Sequence, residues 1–544
     1  MFRDGQGIEA GASLRFDVAI IGAGMAGITL AERLRDDGRR VCLIEGGGYD
    51  PELRHQRLNQ GPNVGRPYFG LDRCRFRVFG GASIRWGGWC RPIEPSDLEA
   101  RDWIPRSGWP ISYEQLAPHV ADAAAVVELS PSYALADWKD LLPPVPDLGS
   151  PEFEPVIMQH SAEIDFGERA RPAFTAAEDL TVLLNANVTD LALAPGTNRL
   201  DHVDVATVSG NRFSVHADTF VLAAGGIENP RLLLASRRER PAGLGNESDL
   251  VGRCFMEHPH VSPGHIVPAE GHTLPGFFKR SELGREAWVH GILAPTAAAA
   301  RARRLPTCFF TLDTMPHVAG PSALLDLPQS IMTPVAVAYR RLQRNYPAAG
   351  SRLRKTVSTA WRTGRELRAS RGVDGSDTSN LRTLISVYAR CEQTPNPSSR
   401  VTLDDTRDRL GVPRPRLDWR ITDSDLAAVD TWTDMLDRTL RESGFGHFVR
   451  SDWRQQFVGG PHHMGTTRMS SSPGEGVVDA NCKVHSVDNL YVTGSSVFTT
   501  SGHANPSLTM LALTLRLADH LRDRMDRPIS ALSSPAAADL AGTS

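Results

Sequence analysis

Phe16-Asp17-Val18-Ala19-Ile20-Ile21-Gly22-Ala23-Gly24-Met25-Ala26-Gly27 is the most telling stretch of this 544-residue chain. Its β-branched apolar run predicts a strand buried on both faces, the pattern of a parallel sheet. Gly22, Gly24 and Gly27 then form a G-x-G-x-x-G turn, and Ile28 to Arg35 follows with helical periodicity. Val41-Cys42-Leu43-Ile44 predicts a second strand, ending at Glu45. Glycines at these places let the backbone turn tightly and approach a pyrophosphate, whose charge is favoured at a helix N-terminus. Glu45 stands where a carboxylate would hydrogen-bond an adenosine ribose. The expected class is therefore α/β (α+β) with a Rossmann-like nucleotide-binding domain. Gly22, Gly24, Met25, Ala26, Gly27 and Glu45 are its expected cofactor contacts. The bland alternative is a glycine-rich turn with no ligand, and the fingerprint alone does not separate FAD from NAD.

Bulk properties narrow the rest. A chain of this length exceeds one small core, so two closely joined domains are expected. A net charge of −3 gives no general attraction to nucleic acid or to an anionic membrane surface. The seven cysteines are scattered without C-x-x-C spacing, which speaks against a disulfide framework or a thiolate metal site. Met1 to Arg15 lacks the apolar stretch of a signal peptide, and no uninterrupted apolar run is long enough to span a bilayer. A cytoplasmic location without membrane association is the expectation.

Four further stretches carry chemistry. Phe79-Gly80-Gly81-Ala82-Ser83-Ile84-Arg85-Trp86-Gly87-Gly88 is a run of small residues suited to close backbone approach. Val221-Leu222-Ala223-Ala224-Gly225-Gly226 predicts a strand and glycine turn, followed by a helix from Ile227 with Pro230 in its first turn. Pro461-His462-His463-Met464-Gly465-Thr466 and Asn489 to Phe498 follow, the latter running on through Gly502-His503-Ala504-Asn505-Pro506-Ser507-Leu508-Thr509. With the N-terminal turn, these stretches resemble the glucose–methanol–choline (GMC) oxidoreductase family of FAD-dependent alcohol-oxidising enzymes.

That resemblance implies FAD as the cofactor, a small-molecule alcohol or sugar-like substrate, and oxygen or another electron acceptor. Gly80, Gly81, Ser83, Trp86, Gly87 and Gly88 would run past the flavin. Val188 would lie at the adenine end, and Ala224 and Gly225 at the return to the nucleotide domain. Gly494 and Ser495 would present N–H groups to the diphosphate. A helix starting at Asn505-Pro506-Ser507 would turn its positive end to the flavin ring. Some sugar-oxidising members carry a flavin-linked histidine two residues after the motif serine. Arg85 stands there, so the resemblance implies non-covalent FAD.

Hydride removal from a carbinol carbon also needs a base for the hydroxyl proton and a donor for developing alkoxide character. By resemblance these are His462 and Asn505, with hydride passing to flavin N5. An imidazole near its ordinary pKa of about 6.5 would serve at neutral pH. His463 and His503 compete for the role; His463, next to His462 in sequence, reads better as a packing residue. No metal is expected. Gly476 to Asp479 and Val484 to Val492 predict short strands, and Leu508 to Leu521 a helix.

The expected organisation interleaves two domains. FAD-binding parts are expected at 1–96, 179–256 and 451–527, and a substrate domain on an antiparallel sheet at 97–178 and 257–450. A disordered tail is expected at 528–544. Glu257 and Glu392 read equally as structural or substrate-facing. Residues 335–371 are Arg-rich and read either as a docking surface or as a pair of amphipathic surface helices. Functionally, the motifs look like those of sugar and polyol oxidisers, and more narrowly like enzymes acting on the primary 6′-alcohol of aminoglycosides. The alternatives are a flavin subunit of an electron-transfer dehydrogenase and a non-redox lyase on the same scaffold.

Overall fold

The computed structural model describes residues 1–35, 37–162, 165–284, 287–314, 384–454 and 457–526. The Arg-rich span 335–371 and the tail 528–544 lie outside the described residues.

Ser13–Ile21 forms the central strand of the first sheet because its apolar run can be covered on both faces. Val18, Ala19 and Ile20 have no exposed surface. It pairs in parallel with Val41–Ile44 on one side and Arg212–Leu222 on the other, placing Ile20 between Leu43 and Val221. Leu180–Leu184 and Phe2–Asp4 extend the parallel order beyond Val41–Ile44, and Leu490–Val492 pairs in parallel with Arg212–Leu222. An antiparallel hairpin, Asn187–Leu193 with Leu200–Ala206, closes that edge. The helices Met25–Leu34, Gly225–Ala235 and Pro506–Asp526 follow three of the parallel strands.

The second sheet is antiparallel throughout. Its order is Gly446–Arg450, His260–Pro268, Ile385–Cys391, Cys308–Asp313, Ala287–Pro295, Phe153–His160 and Trp89–Cys90. Each sheet has its own apolar core. Val18, Leu43, Phe220 and Leu511 belong to the first core, and Phe153, Phe277, Val387 and Trp432 to the second. The stretch 97–178, expected to belong wholly to the substrate domain, is divided between them. Trp109, Leu116, Phe166 and Phe174 pack in the first core and Phe153 and Ile157 in the second. The division follows from the helices Tyr113–Val126 and Phe166–Ala176, which lie against Pro506–Asp526 and Met25–Leu34 respectively.

Two local expectations fail for identifiable reasons. The helix after Arg212–Leu222 begins at Gly225, so Pro230 sits in its second turn rather than its first. Proline brings no N–H to the Gly226 carbonyl four residues earlier. The Thr466 hydroxyl donates to that carbonyl instead, at 2.6 Å, deep in the protein. Between Gly476 and Val492 only Leu490–Val492 is a strand. The Asp479 carboxylate accepts from the N–H groups of Asn481 and Lys483 at 2.8 and 2.9 Å, and Cys482 has φ +64°. That side-chain turn competes successfully with a ladder and leaves isolated bridges such as Val478 to Val484. No helix among the described residues is long and apolar enough to cross a membrane.

Candidate active site

The nucleotide turn is a place where side chains do not fit. Gly22 has φ +106°, and a Cβ there would lie 2.7 Å from the Ala223 carbonyl oxygen. A Cβ on Gly27 would lie 1.9 Å from the Gly22 carbonyl oxygen, so glycine allows the helix Met25–Leu34 to start against the strand. Gly81 stacks its backbone on Gly24, where a Cβ would come within 2.9 Å of the Gly24 Cα, and Gly80 donates its N–H to the Ala23 carbonyl at 2.8 Å. By contrast Gly24, Gly225 and Gly494 face open space, with nothing within 4 Å of a Cβ at any of them. Three glycines bordering open space at the carboxyl ends of parallel strands fit a backbone cradle for a phosphate-bearing cofactor.

The other expected contacts distribute around that cradle. Glu45 is buried, and its carboxylate accepts from the N–H groups of Ala23 and Gly47 at 3.0 and 2.9 Å. Burial pushes its pKa up against those two donors. Met25 and Ala26 open the helix. Ala224 is that of the next helix's N-cap, and its N–H is held by the Asn229 side-chain oxygen at 2.8 Å. Ser495 donates its hydroxyl to the His463 carbonyl at 2.8 Å, tying the Gly494 turn to the histidine loop. Pro506 and Ser507 begin the helix Pro506–Asp526. Ser83 is consumed internally: its hydroxyl donates to the Gly80 carbonyl at 2.7 Å and accepts from Phe166 N–H at 3.1 Å. Trp86 packs on Phe166, Gly87 lies beside the Trp89 ring, and Gly88 is squeezed against the Ser161 backbone. Trp86 therefore stays against the first core, while Gly87 and Gly88 lead towards the second sheet. Val188 lies on the outer hairpin, paired with Val205.

The histidine loop is held by Glu257. Its carboxylate accepts from the N–H of Gly460 and of His462, both at 2.9 Å, from His258 N–H at 3.2 Å, and from the Tyr68 hydroxyl. Burial pushes this carboxyl up to about 7, opposed by the Tyr68 and backbone donors. Glu392 is equally committed. It receives Arg101 Nη1 at 3.0 Å, and Thr307 N–H at 2.9 Å. The two readings left open for these glutamates thus resolve to a structural one.

His462 and Asn505, 43 residues apart in sequence, come together: Asn505 Nδ2 lies 3.5 Å from His462 Nε2. Asn505 Oδ1 is buried without a donor. On the other side, His462 Nδ1 lies 2.9 Å from His258 Nδ1. His258 Nε2 lies 3.0 Å from the Gly502 carbonyl and 3.3 Å from that of Ser501. A carbonyl can only accept, so His258 carries its proton on Nε2. Burial draws the His258 pKa down to about 4, which keeps that ring neutral with a lone pair on Nδ1. His462 must then donate from Nδ1, and its Nε2 is left bare, facing Asn505.

The expectation of an ordinary imidazole at His462 is corrected. Burial first, then His258, Arg390 and His463, hold its pKa well below 6.5. The other two histidines point elsewhere. His463 packs its ring between Tyr68 and Phe255, with centroids at 6.0 and 5.9 Å, and His503 Nδ1 meets the Thr307 hydroxyl at 3.2 Å. His258 lies outside the motifs that mark His462 and Asn505, and only the two histidines of Glu257-His258-Pro259-His260 hint at it in the sequence. Among the described residues, one group of metal-type ligand atoms lies within 4.8 Å, from Asp201, His202 and His216 on the outer-hairpin edge of the first sheet.

Comparison with known proteins bears on the family and the fold. Residues 395–514 match the family model described as GMC oxidoreductase, and residues 20–49 match that of an NAD(P)-binding Rossmann-like domain. The chain is 23% identical to the fructose dehydrogenase large subunit of Gluconobacter japonicus, covering 93% of this chain and 98% of that one. It is 26% identical to paromamine 6'-oxidase of Streptomyces fradiae, covering 92% and 90%. The crystal structure of pyridoxine 4-oxidase from Mesorbium loti aligns with a TM-score of 0.53 at 18% identity, covering 93% and 99%, a likeness of fold. Fold and cradle together define a protein built to hold a dinucleotide cofactor. The match over residues 395–514 supports a GMC-type, FAD-dependent oxidoreductase, and relatives that span most of the chain are named as oxidases and dehydrogenases.

Proposed function

We propose that this enzyme oxidises a CH–OH group of a sugar- or polyol-type substrate, with His462 as the base and Asn505 as the donor to the reacting oxygen. The observation that carries the reading is the bare Nε2 of His462, aimed at the Asn505 amide, in a loop packed against the glycine-lined cradle. FAD, when bound, supplies the acceptor for the hydride. His462 Nε2 takes the hydroxyl proton, and Asn505 Nδ2 steadies the same oxygen as it gains alkoxide character. His258 holds His462 in the one tautomer that can do this, and Glu257 fixes the loop that carries it. The low pKa of His462 keeps the base unprotonated at neutral pH.

Sugar alcohols are favoured by the names of two relatives, fructose dehydrogenase and paromamine 6'-oxidase. The finer aminoglycoside reading gains no support from the site, since a polycationic substrate calls for free carboxylates and Glu257 and Glu392 are both committed. Arg85 at the place of a linking histidine supports non-covalent FAD. The alternation of the two sheets along the chain supports the expected interleaving of FAD-binding and substrate parts, with the exchange of 97–178 already described.

The test is anaerobic mixing of the yellow protein with a panel of sugars and polyols while the oxidised-flavin band is followed. Bleaching by one of them is expected, and His462→Ala should slow it by about 10²–10⁴-fold. A His462→Ala protein that bleached at the normal rate would remove the base assignment. A flavin left oxidised while the substrate is consumed would instead favour the lyase reading.

A further inference from the structure

The face of the second sheet turned towards His462 carries a buried cation with no counter-charge among the described residues. Arg390, on the strand Ile385–Cys391, sits directly opposite His260 and Phe309 on its two neighbouring strands. The His260 ring in turn lies 5.7 Å from that of His462, and Phe309 lies 5.8 Å from His503. Arg390 is 8% exposed, and two of its nitrogens, Nε and Nη1, have no hydrogen-bond partner. Its guanidinium lies over the rings of Trp89, Tyr388 and Phe309, at 4.1, 5.0 and 5.2 Å. Those rings offset part of the burial of charge, but they offer its N–H groups no acceptor oxygen.

Every buried carboxylate flanking this site is already matched. Glu257 is held by its loop donors, while Glu392 and Asp97 both lie against Arg101. Arg390 has no ion pair among the described residues. Removing a guanidinium from water without an acceptor is unfavourable by several kcal/mol, so a buried one persists where something completes it. A substrate entering the space in front of His462 is such a partner.

We propose that the substrate of this site is a hydroxy acid, with its carboxylate seated on Arg390 while its alcohol carbon is presented to His462 and Asn505. This rests on the alcohol-oxidising function proposed above. One unmatched positive charge fits a singly charged carboxylate, and the planar donors of arginine suit two oxygens in one plane. The surrounding rings Trp89, Tyr388 and Phe309 exclude water from the pair and so strengthen it. The signal was legible as the one charged residue in the apolar run Ile385-Ser386-Val387-Tyr388-Ala389-Arg390-Cys391.

The test uses matched pairs with the FAD-loaded protein: D-gluconate with D-glucitol, D-galacturonate with its methyl ester, and D-glycerate with glycerol. Anaerobic flavin bleaching gives kcat/KM for each. The acid of the preferred pair should exceed its neutral partner by at least about 10-fold, and Arg390→Met should bring that ratio close to one. Acetate, which carries no oxidisable alcohol, should perturb the flavin spectrum of the wild type and compete with the acid substrate, and should do neither in Arg390→Met. If Arg390→Met holds no flavin, Arg390→Lys replaces it: the charge stays and the planar donor set is lost, so the ratio should fall to an intermediate value. Neutral partners reacting as well as the acids, or a ratio unmoved by the substitutions, would overturn the inference while leaving alcohol oxidation in place. No bleaching by either class, in a flavin that dithionite still reduces, would overturn both together with the function they rest on.

Discussion

Replacing His258 tests whether the active-site tautomer is set from behind. In the native site His462 Nδ1–H donates to His258 Nδ1 at 2.9 Å, an interaction that exists only when Nε2 of His462 is bare. His258→Leu removes the acceptor. The Nδ1–H tautomer of His462 then carries a buried unsatisfied donor, which is unfavourable by about 1–3 kcal/mol. The competing tautomer, protonated on Nε2, can donate towards Asn505 Oδ1, the buried acceptor that lacks a donor in the present arrangement. Only the first tautomer can take a proton from substrate. At about 1.4 kcal/mol per tenfold, the loss is about 5- to 150-fold in the rate of flavin bleaching.

A structural role alone would lower activity too, so the decisive readout is the pH profile. His258 is among the causes that hold the His462 pKa down. The acid limb of kcat/KM therefore lies well below pH 6.5 in the wild type and moves up towards it in His258→Leu. His258→Gln keeps an acceptor oxygen and should recover most of the rate. The assay is stopped-flow bleaching across pH on proteins of equal flavin content. A His258→Leu enzyme with unchanged rate and unchanged acid limb would refute the tautomer argument.

Two further outcomes concern the scaffold. Thr466→Val keeps the shape but strips the Gly226 carbonyl of the donor that Pro230 cannot provide, so denaturant unfolding should show a loss of about 1–3 kcal/mol. A loss no larger than that of a surface substitution would mean the carbonyl finds another partner. Acid should destabilise the protein through its buried histidines. Burial draws His55, His258 and His503 down to about 4, and His290 and His463 to about 3. Below pH 6.5 the unfolded chain takes up protons that these folded rings refuse, so each lowers stability by about 1.4 kcal/mol per pH unit until its own folded pKa is reached. Unfolding midpoints that stay level between pH 6.5 and 4.5 would contradict that burial.

What could be read from the chain, and what could not, divides by how far each residue's partner lies along it. Gly27 was legible because the clash that demands glycine is with the turn's own Gly22 carbonyl, five residues away, whereas the Gly22 clash is with Ala223 on a distant strand and only the spacing of the turn marked it. His462 was legible because its motif is local, and the pairing with Asn505 because a family resemblance supplied it. The tautomer was not legible. It depends on His258, 204 residues earlier, and on a carbonyl at Gly502, brought together only when the strand at His260 and the loop after Val497 meet. The base's pKa failed for the same reason: an imidazole's solution value is a property of the residue, and burial is a property of the fold. Pro230 shows the converse. Its missing N–H argued for a first-turn position, and the helix nonetheless begins earlier because Thr466, from the histidine motif, repairs the defect. One short motif thus carries both the proposed base and the donor that lets the glycine turn of the cradle run straight into its helix. Substitutions at Thr466 should accordingly weaken flavin retention as well as stability, although Thr466 has no part in the chemistry.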